Sequence, residues 1–277
     1  MTEPTTQVFP QVETQATQAH AEQPAVAPTP VQEPVLATQP APGTAPLLAC
    51  NSLSKTYVAS RGQALRGINL NISAGKIIGL LGPNGSGKTT LIKLINGLIV
   101  STEGEVLING LAPGIESRKA IAYLPDVSFL ADWMSVDQIL DFFVDFYADF
   151  DKERALGMLA QLNIEPSQVF KTLSKGNKEK VQLVLVMSRN AQLYLLDEPI
   201  GGVDPAARDF ILRTILTNYS PEATVIIATH LISDIESVLD EAIMISQGSI
   251  VVHDSVDNIR ANRGQSVDEM FRQVFAC

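Results

Sequence analysis

The stretch Ile77-Ile78-Gly79-Leu80-Leu81-Gly82-Pro83-Asn84-Gly85-Ser86-Gly87-Lys88-Thr89-Thr90-Leu91-Ile92-Lys93-Leu94-Ile95 holds an apolar run, a glycine-rich turn and a helical pattern. Residues 77–81 read as a buried strand, and the spacing from Thr90 to Ile95 reads as a helix. Between them, residues 82–89 have the order of a loop that wraps phosphate. Gly82, Gly85 and Gly87 let backbone N–H groups turn inward, some through φ values that other residues avoid. Lys88 supplies a point charge for the β/γ-phosphates, and the Thr89 hydroxyl suits Mg²⁺. Strand, glycine loop and helix N-terminus together predict a nucleotide site.

Working outward, Leu193-Tyr194-Leu195-Leu196-Asp197-Glu198 ends a hydrophobic strand on two carboxylates. Beside a phosphate loop the first suits Mg²⁺ and the second suits orienting or deprotonating a water. Thr224-Val225-Ile226-Ile227-Ala228-Thr229-His230 ends the next buried strand on a polar pair, which puts His230 where a γ-phosphate contact would sit. In Leu173-Ser174-Lys175-Gly176-Asn177-Lys178-Glu179-Lys180 a helix opens after a serine and among lysines, a second place for an anion or an ordinary capped start.

Further strands are expected over residues 47–81, with turns at Ser60-Arg61-Gly62 and Ala74-Gly75, and over 105–109. Helices are expected over 135–150, 152–162, 176–188 and 205–218 and from Leu231, followed by a hairpin-like pair (243–246 and 249–252) and a short helical tail. Alternating apolar strands and helices predict an α/β P-loop fold with a mainly parallel sheet, an antiparallel β subdomain and an inserted helical subdomain over about 127–190.

The chain has 277 residues, and its first 46 contain nine of the sixteen prolines and no Lys or Arg. Such a stretch buries too little apolar surface to offset its ordering entropy and reads as disordered, a tether or a solvated tail. Residues 47–277 then form the folded domain. The four Glu of the tail supply −4 of the formal −10, leaving −6 on the rest, which argues against nucleic acid as a partner. Cys50 and Cys277 make no disulfide framework or metal spacing, in keeping with a reducing compartment. No apolar run approaches the ~20 residues needed to cross a bilayer.

Taken in order, the segments over about 47–248 resemble the nucleotide-binding subunit of an ATP-binding cassette (ABC) transporter. The resemblance makes Gly82, Pro83, Asn84, Gly85, Ser86, Gly87, Lys88, Thr89 and Thr90 the ATP-binding set. It adds Tyr57 as the aromatic that stacks on adenine and Asp204, in Gly201-Gly202-Val203-Asp204-Pro205, as the D-loop aspartate. It implies that Glu198 activates water, assisted by Lys88 and His230, and that Thr89, Asp197 and Asp126 surround Mg²⁺. Ser174 and Gly176 would face the γ-phosphate held by a second subunit. The chain departs from the family in two places. Leu173-Ser174-Lys175-Gly176-Asn177 replaces the usual Leu-Ser-Gly-Gly-Gln, and Tyr123-Leu124-Pro125-Asp126 carries Asp where Gln is usual.

The implied assembly is a homo- or heterodimer of cassettes on an integral membrane permease, cytoplasmic and peripheral to the inner face of the membrane. An export type is expected, because the chain ends within about 30 residues of the last strand pair and leaves no room for a further regulatory domain. The other reading is a non-transport ABC ATPase that closes on nucleic acid or ribosomes; the single cassette, the acidic balance and the lack of long coiled-coil insertions weigh against it. Finally, Asp137, Asp141, Asp145 and Asp149 recur every four residues, with Phe142, Phe143, Phe146, Tyr147 and Phe150 around them. On one helix they would form either a solvated face or, with Trp133, the border of a groove for the membrane partner.

Overall fold

The computed structural model describes residues 46–58, 62–201, 203 and 205–275, the side chains of 205–207 and 263 excepted. The tail over 1–45, Asp204, Gly202, Cys277 and the turn residues Ser60 and Arg61 lie outside the described residues. The strands are β1 (Leu48–Tyr57), β2 (Gly62–Ile72), β3 (Ile77–Leu81), β4 (Glu103–Ile108), β5 (Ile121–Leu124), β6 (Leu193–Asp197), β7 (Thr224–Thr229), β8 (Glu241–Ser246) and β9 (Ser249–Ser255). Three of them form an antiparallel sheet in the order β2-β1-β4, and six form a second sheet in the order β5-β6-β7-β3-β8-β9. Every pairing from β5 to β8 is parallel, and β9 returns antiparallel on β8. Gln247 and Gly248, at φ 46° and 82°, make the tight turn between those two, the geometry that suits the twist of a hairpin.

The helices are α1 (Lys88–Ile95), α2 (Ile115–Lys119), α3 (Val136–Phe146), α4 (Lys152–Gln161), α5 (Lys175–Met187), α6 (Pro205–Asn218), α7 (Ile232–Ile235), α8 (Val256–Arg263) and α9 (Val267–Phe275). Strands buried on both faces read as continuous apolar runs, and β3 and β6 are buried at all five positions. One face of the large sheet, with Ile78, Leu80, Leu193, Leu195 and Ile226, packs on α1 and the antiparallel sheet. The other, with Leu81, Leu124, Tyr194, Leu196 and Ile227, packs on the apolar sides of α3, α4 and α5. Truncating one such side chain, as in Leu195→Ala, costs about 2–5 kcal/mol.

Two helices are shorter than the sequence pattern suggests. The segment from Leu231 holds only the single turn α7, followed by a 3-10 turn over Glu236–Val238. The helix from Ser135 stops at Phe146, and Tyr147 is extended at φ −125° and ψ 103°. The chain leaves the helix there to meet α5. Phe150 bridges Arg189, and Asp151 N–H donates to Ser188 O at 2.8 Å.

The acidic residues therefore do not form one stripe on one helix. Asp149 lies beyond the helix and takes Arg189 in a forked ion pair, Nε–Oδ1 3.1 Å and Nη2–Oδ2 3.0 Å. Arg189 is buried. It also donates to Ile121 O at 2.7 Å and Lys119 O at 2.9 Å, while Tyr147 covers its guanidinium at 4.0 Å. Asp137 and Asp141 share Lys152. Three of the four carboxylates thus have a cationic partner within the chain, two of them sharing one lysine.

Candidate functional site

The loop after β3 is built around contacts that exclude side chains. A Cβ on Gly82 would meet Ile245 O at 2.5 Å and Ser86 Oγ at 2.6 Å. Gly87 stands at φ 116°, where a Cβ would meet Ala64 O at 2.8 Å, and it is also the N-cap of α1. With no side-chain cap on α1, the N–H groups of its first turn and the positive end of its dipole are left for an anion. The loop opens on a cavity of about 300 Å³ lined by Ala64, Asn84, Gly85, Gly87, Lys88, Thr89, Thr90, Asp126 and Glu198.

Lys88 is buried and donates to Gly82 O at 2.7 Å and Pro83 O at 3.3 Å, which holds its ammonium across the loop. Burial lowers its pKa, while the charges of Glu198 and Asp197 act against that shift. Thr89 Oγ1 donates to Asp197 Oδ1 at 3.1 Å, joining α1 to the end of β6. The other oxygen of Asp197, Oδ2, is buried and without a hydrogen-bond partner. Burial pushes the Asp197 carboxyl up to about 6, helped by the charges of Asp126 and Glu198 and opposed by the Thr89 hydrogen bond.

Glu198 leaves the strand at φ 50°, a left-handed conformation that is costly for a side chain with a Cβ. Its N–H still donates to Ala228 O at 2.8 Å, so the turn is anchored on β7. This brings the carboxylate over the next strand end. Oε2 accepts from Thr229 Oγ1 at 3.0 Å, both oxygens lie 3.1 Å from His230 Nδ1, and Oε1 is 3.7 Å from Lys88 Nζ. A carboxylate, an imidazole and an ammonium thus converge at the mouth of the cavity.

Of the residues singled out from the sequence, the loop, Asp126, Asp197, Glu198 and His230 meet around this cavity or its edge. Pro83 and Ser86 belong to the loop wall. Tyr57 sits at the end of β1 with Lys55 Nζ 5.4 Å from its ring centre, outside the nine lining residues. Ser174 caps α5 by accepting from Asn177 N–H at 3.3 Å, Gly176 has open space around it, and neither lines the cavity. Sequence reasoning overlooked the hydrogen bond from Thr229, although a hydroxyl ending an apolar strand was a usable signal. It also overlooked the backbone twist at Glu198 and the buried hydroxyl of Tyr123. Among the described residues, no group of three or more His, Cys, Asp or Glu is arranged to hold a metal, and no helix is long and apolar enough to cross a membrane.

A glycine loop at the end of the central parallel strand β3, joined by the Thr89 hydroxyl to a carboxylate at the end of β6, with β7 between the two strands, makes this a P-loop nucleoside triphosphatase. The sequence profile of the ABC transporter family matches residues 65–201. The chain is 30% identical over 211 residues to the SkfA peptide export ATP-binding protein SkfE of Bacillus subtilis (strain 168), covering 74% of this chain and 87% of that protein. It is 30% identical over 220 residues to the lipopolysaccharide export system ATP-binding protein LptB of Escherichia coli (strain K12), covering 74% and 89%. A solved structure described as an ATP-binding subunit of an ABC transporter superimposes with a TM-score of 0.74 at 28% identity, covering 82% of this chain and 99% of that one. The chain belongs to the ABC transporter family, as an ATP-binding subunit and an ATPase.

Proposed function

We propose that this chain hydrolyses ATP as one half of a paired site and drives export through a separate membrane subunit. The observation that carries the reading is the meeting of Glu198, His230 and Lys88 at the mouth of the loop cavity. Glu198 takes a proton from a water. The water oxygen bonds to the γ-phosphorus as the bond from that phosphorus to the β–γ bridging oxygen breaks, releasing ADP and phosphate. His230 holds the Glu198 carboxylate in place. Lys88 and the N-terminus of α1 balance the charge that grows on the phosphoryl oxygens.

The oxygen donors fit Mg²⁺. Asp197 has one oxygen on Thr89 and one buried without a partner, and the push on its pKa is relieved by a cation. Thr89 and Asp197 would hold the ion together with phosphate oxygens, with Asp126 on the cavity wall beside them. When bound, Mg²⁺ supplies positive charge to the β/γ-phosphates.

One chain has one phosphate loop, and neither Ser174 nor Gly176 is among the residues that line its cavity. They are read, with Asp204, as the surface offered to the nucleotide of a second subunit, and Tyr57 as the adenine platform. Export is favoured by the two relatives named for it. The permease side is assigned to the exposed aromatics Trp133, Phe142 and Phe146, an apolar surface unusual for a solvated face. Recovery of a multi-span membrane protein with the full chain from a detergent extract tests this. Retention by the wild-type chain and loss by a Trp133→Ala/Phe142→Ala/Phe146→Ala variant that still binds ATP is expected. Association unchanged by the triple substitution would contradict the assignment, and recovery of ribosomes or nucleic acid instead would favour the non-transport reading.

A further inference from the structure

Tyr123 lies on β5 in register with Leu195 of β6. Partners in a parallel pair point to the same face, and along β6 that face carries Leu193, Leu195 and then Asp197. The Tyr123 ring packs into the core beneath α1 with those leucines. Its hydroxyl is buried without a hydrogen-bond partner, and so is Oδ2 of Asp197 on the same face. Buried hydroxyls are nearly always satisfied, by protein or by an ordered water, so two such atoms beside one site mark a place where something binds. Asp197 and Asp126 both act on the Tyr123 hydroxyl, adding to burial in raising its pKa. The phenol O–H is a donor, and the unpartnered Asp197 Oδ2 on the same face of the sheet is an acceptor.

We propose that Tyr123 is a positioning residue of the phosphate site, its O–H donating through a bound water to the free oxygen of Asp197. One water with two polar partners on the protein satisfies the hydroxyl and occupies one acceptor site of Asp197 Oδ2, leaving that oxygen's other site for the ion. The tyrosine then fixes which way the Asp197 carboxylate faces while Thr89 holds the other oxygen. The inference rests on the reading that Asp197 serves Mg²⁺.

The test is binding of a fluorescent ADP analogue to the full chain and to Tyr123→Phe, each with Mg²⁺ and with EDTA. The expected result is a loss of about tenfold in the affinity gained from Mg²⁺, the usual scale for removing a group that orients a metal-facing carboxylate. Affinity in EDTA is expected to stay within about twofold. Titration with Mn²⁺ followed by electron paramagnetic resonance should show the same weakening. An unchanged Mg²⁺ effect, or an equal loss with and without the ion as a merely structural tyrosine would give, overturns the proposal. Wild-type affinity that is the same in Mg²⁺ and EDTA overturns instead the reading of Asp197 as the metal carboxylate.

Discussion

His230 Nδ1 lies 3.1 Å from each carboxylate oxygen of Glu198, across the ends of two adjacent parallel strands. An imidazole so placed restricts the carboxylate to the cavity side, and its loss should affect the chemical step more than binding. His230→Ala is expected to lower ATP turnover by about 10- to 100-fold, less than removal of a general base. Steady-state kinetics should put this loss in kcat, with the KM for ATP little changed.

The backbone at Glu198 carries a separate cost. At φ 50° any residue with a Cβ is strained by about 1–2 kcal/mol, whatever its side chain does. Glu198→Gly should thus be more stable than Glu198→Ala by about 1 kcal/mol, although both lack the carboxylate. Thermal melts of the two variants side by side measure the difference.

The Asp149–Arg189 pair fastens the end of the α3–α4 segment to the start of β5 and the end of α5. Asp149→Asn leaves a buried guanidinium with a weaker partner and should lower stability by about 1–3 kcal/mol. Asp145→Asn, on an exposed position of α3, should stay within about 0.5 kcal/mol. Equal effects in urea unfolding would restore the view of the four aspartates as one equivalent row.

Glu241 accepts from His253 Nε2 at 3.0 Å and pairs with Lys76, and these contacts hold its carboxyl down at about 2, from an ordinary 4.5. A carboxyl depressed on folding stabilises fully above its unfolded value. Its contribution, at most about 3 kcal/mol, is then lost as the pH falls from 4.5 toward 2. Melting temperature followed across that range should drop more steeply for the wild-type chain than for Glu241→Gln, whose side chain does not titrate.

Much of this arrangement was legible in the residues. The loop over 82–89, the carboxylates after Leu196 and the polar end of β7 are short, contiguous and flanked by apolar runs, so local pattern and chemistry point the same way. What was not legible depends on contacts distant in sequence. β5 is four residues long and exists because β6 pairs with it. The helix from Ser135 ends early because Arg189, forty residues beyond Asp149, pulls the chain out of the helical path. Four-residue spacing continues through Asp149 and carries no sign of that break. Positive φ at Glu198 is likewise set by the strand end it leaves and the β7 carbonyl it meets, neither of which is encoded in a glutamate.

The central claim is that Glu198 is the group that activates water. Glu198→Gln keeps the shape and the contacts with Thr229 and His230 while removing the base. ATP binding should remain within about threefold of wild type and turnover should fall by at least ~100-fold, the lower range for lost general-base catalysis. Turnover at the wild-type rate in that variant would contradict the account.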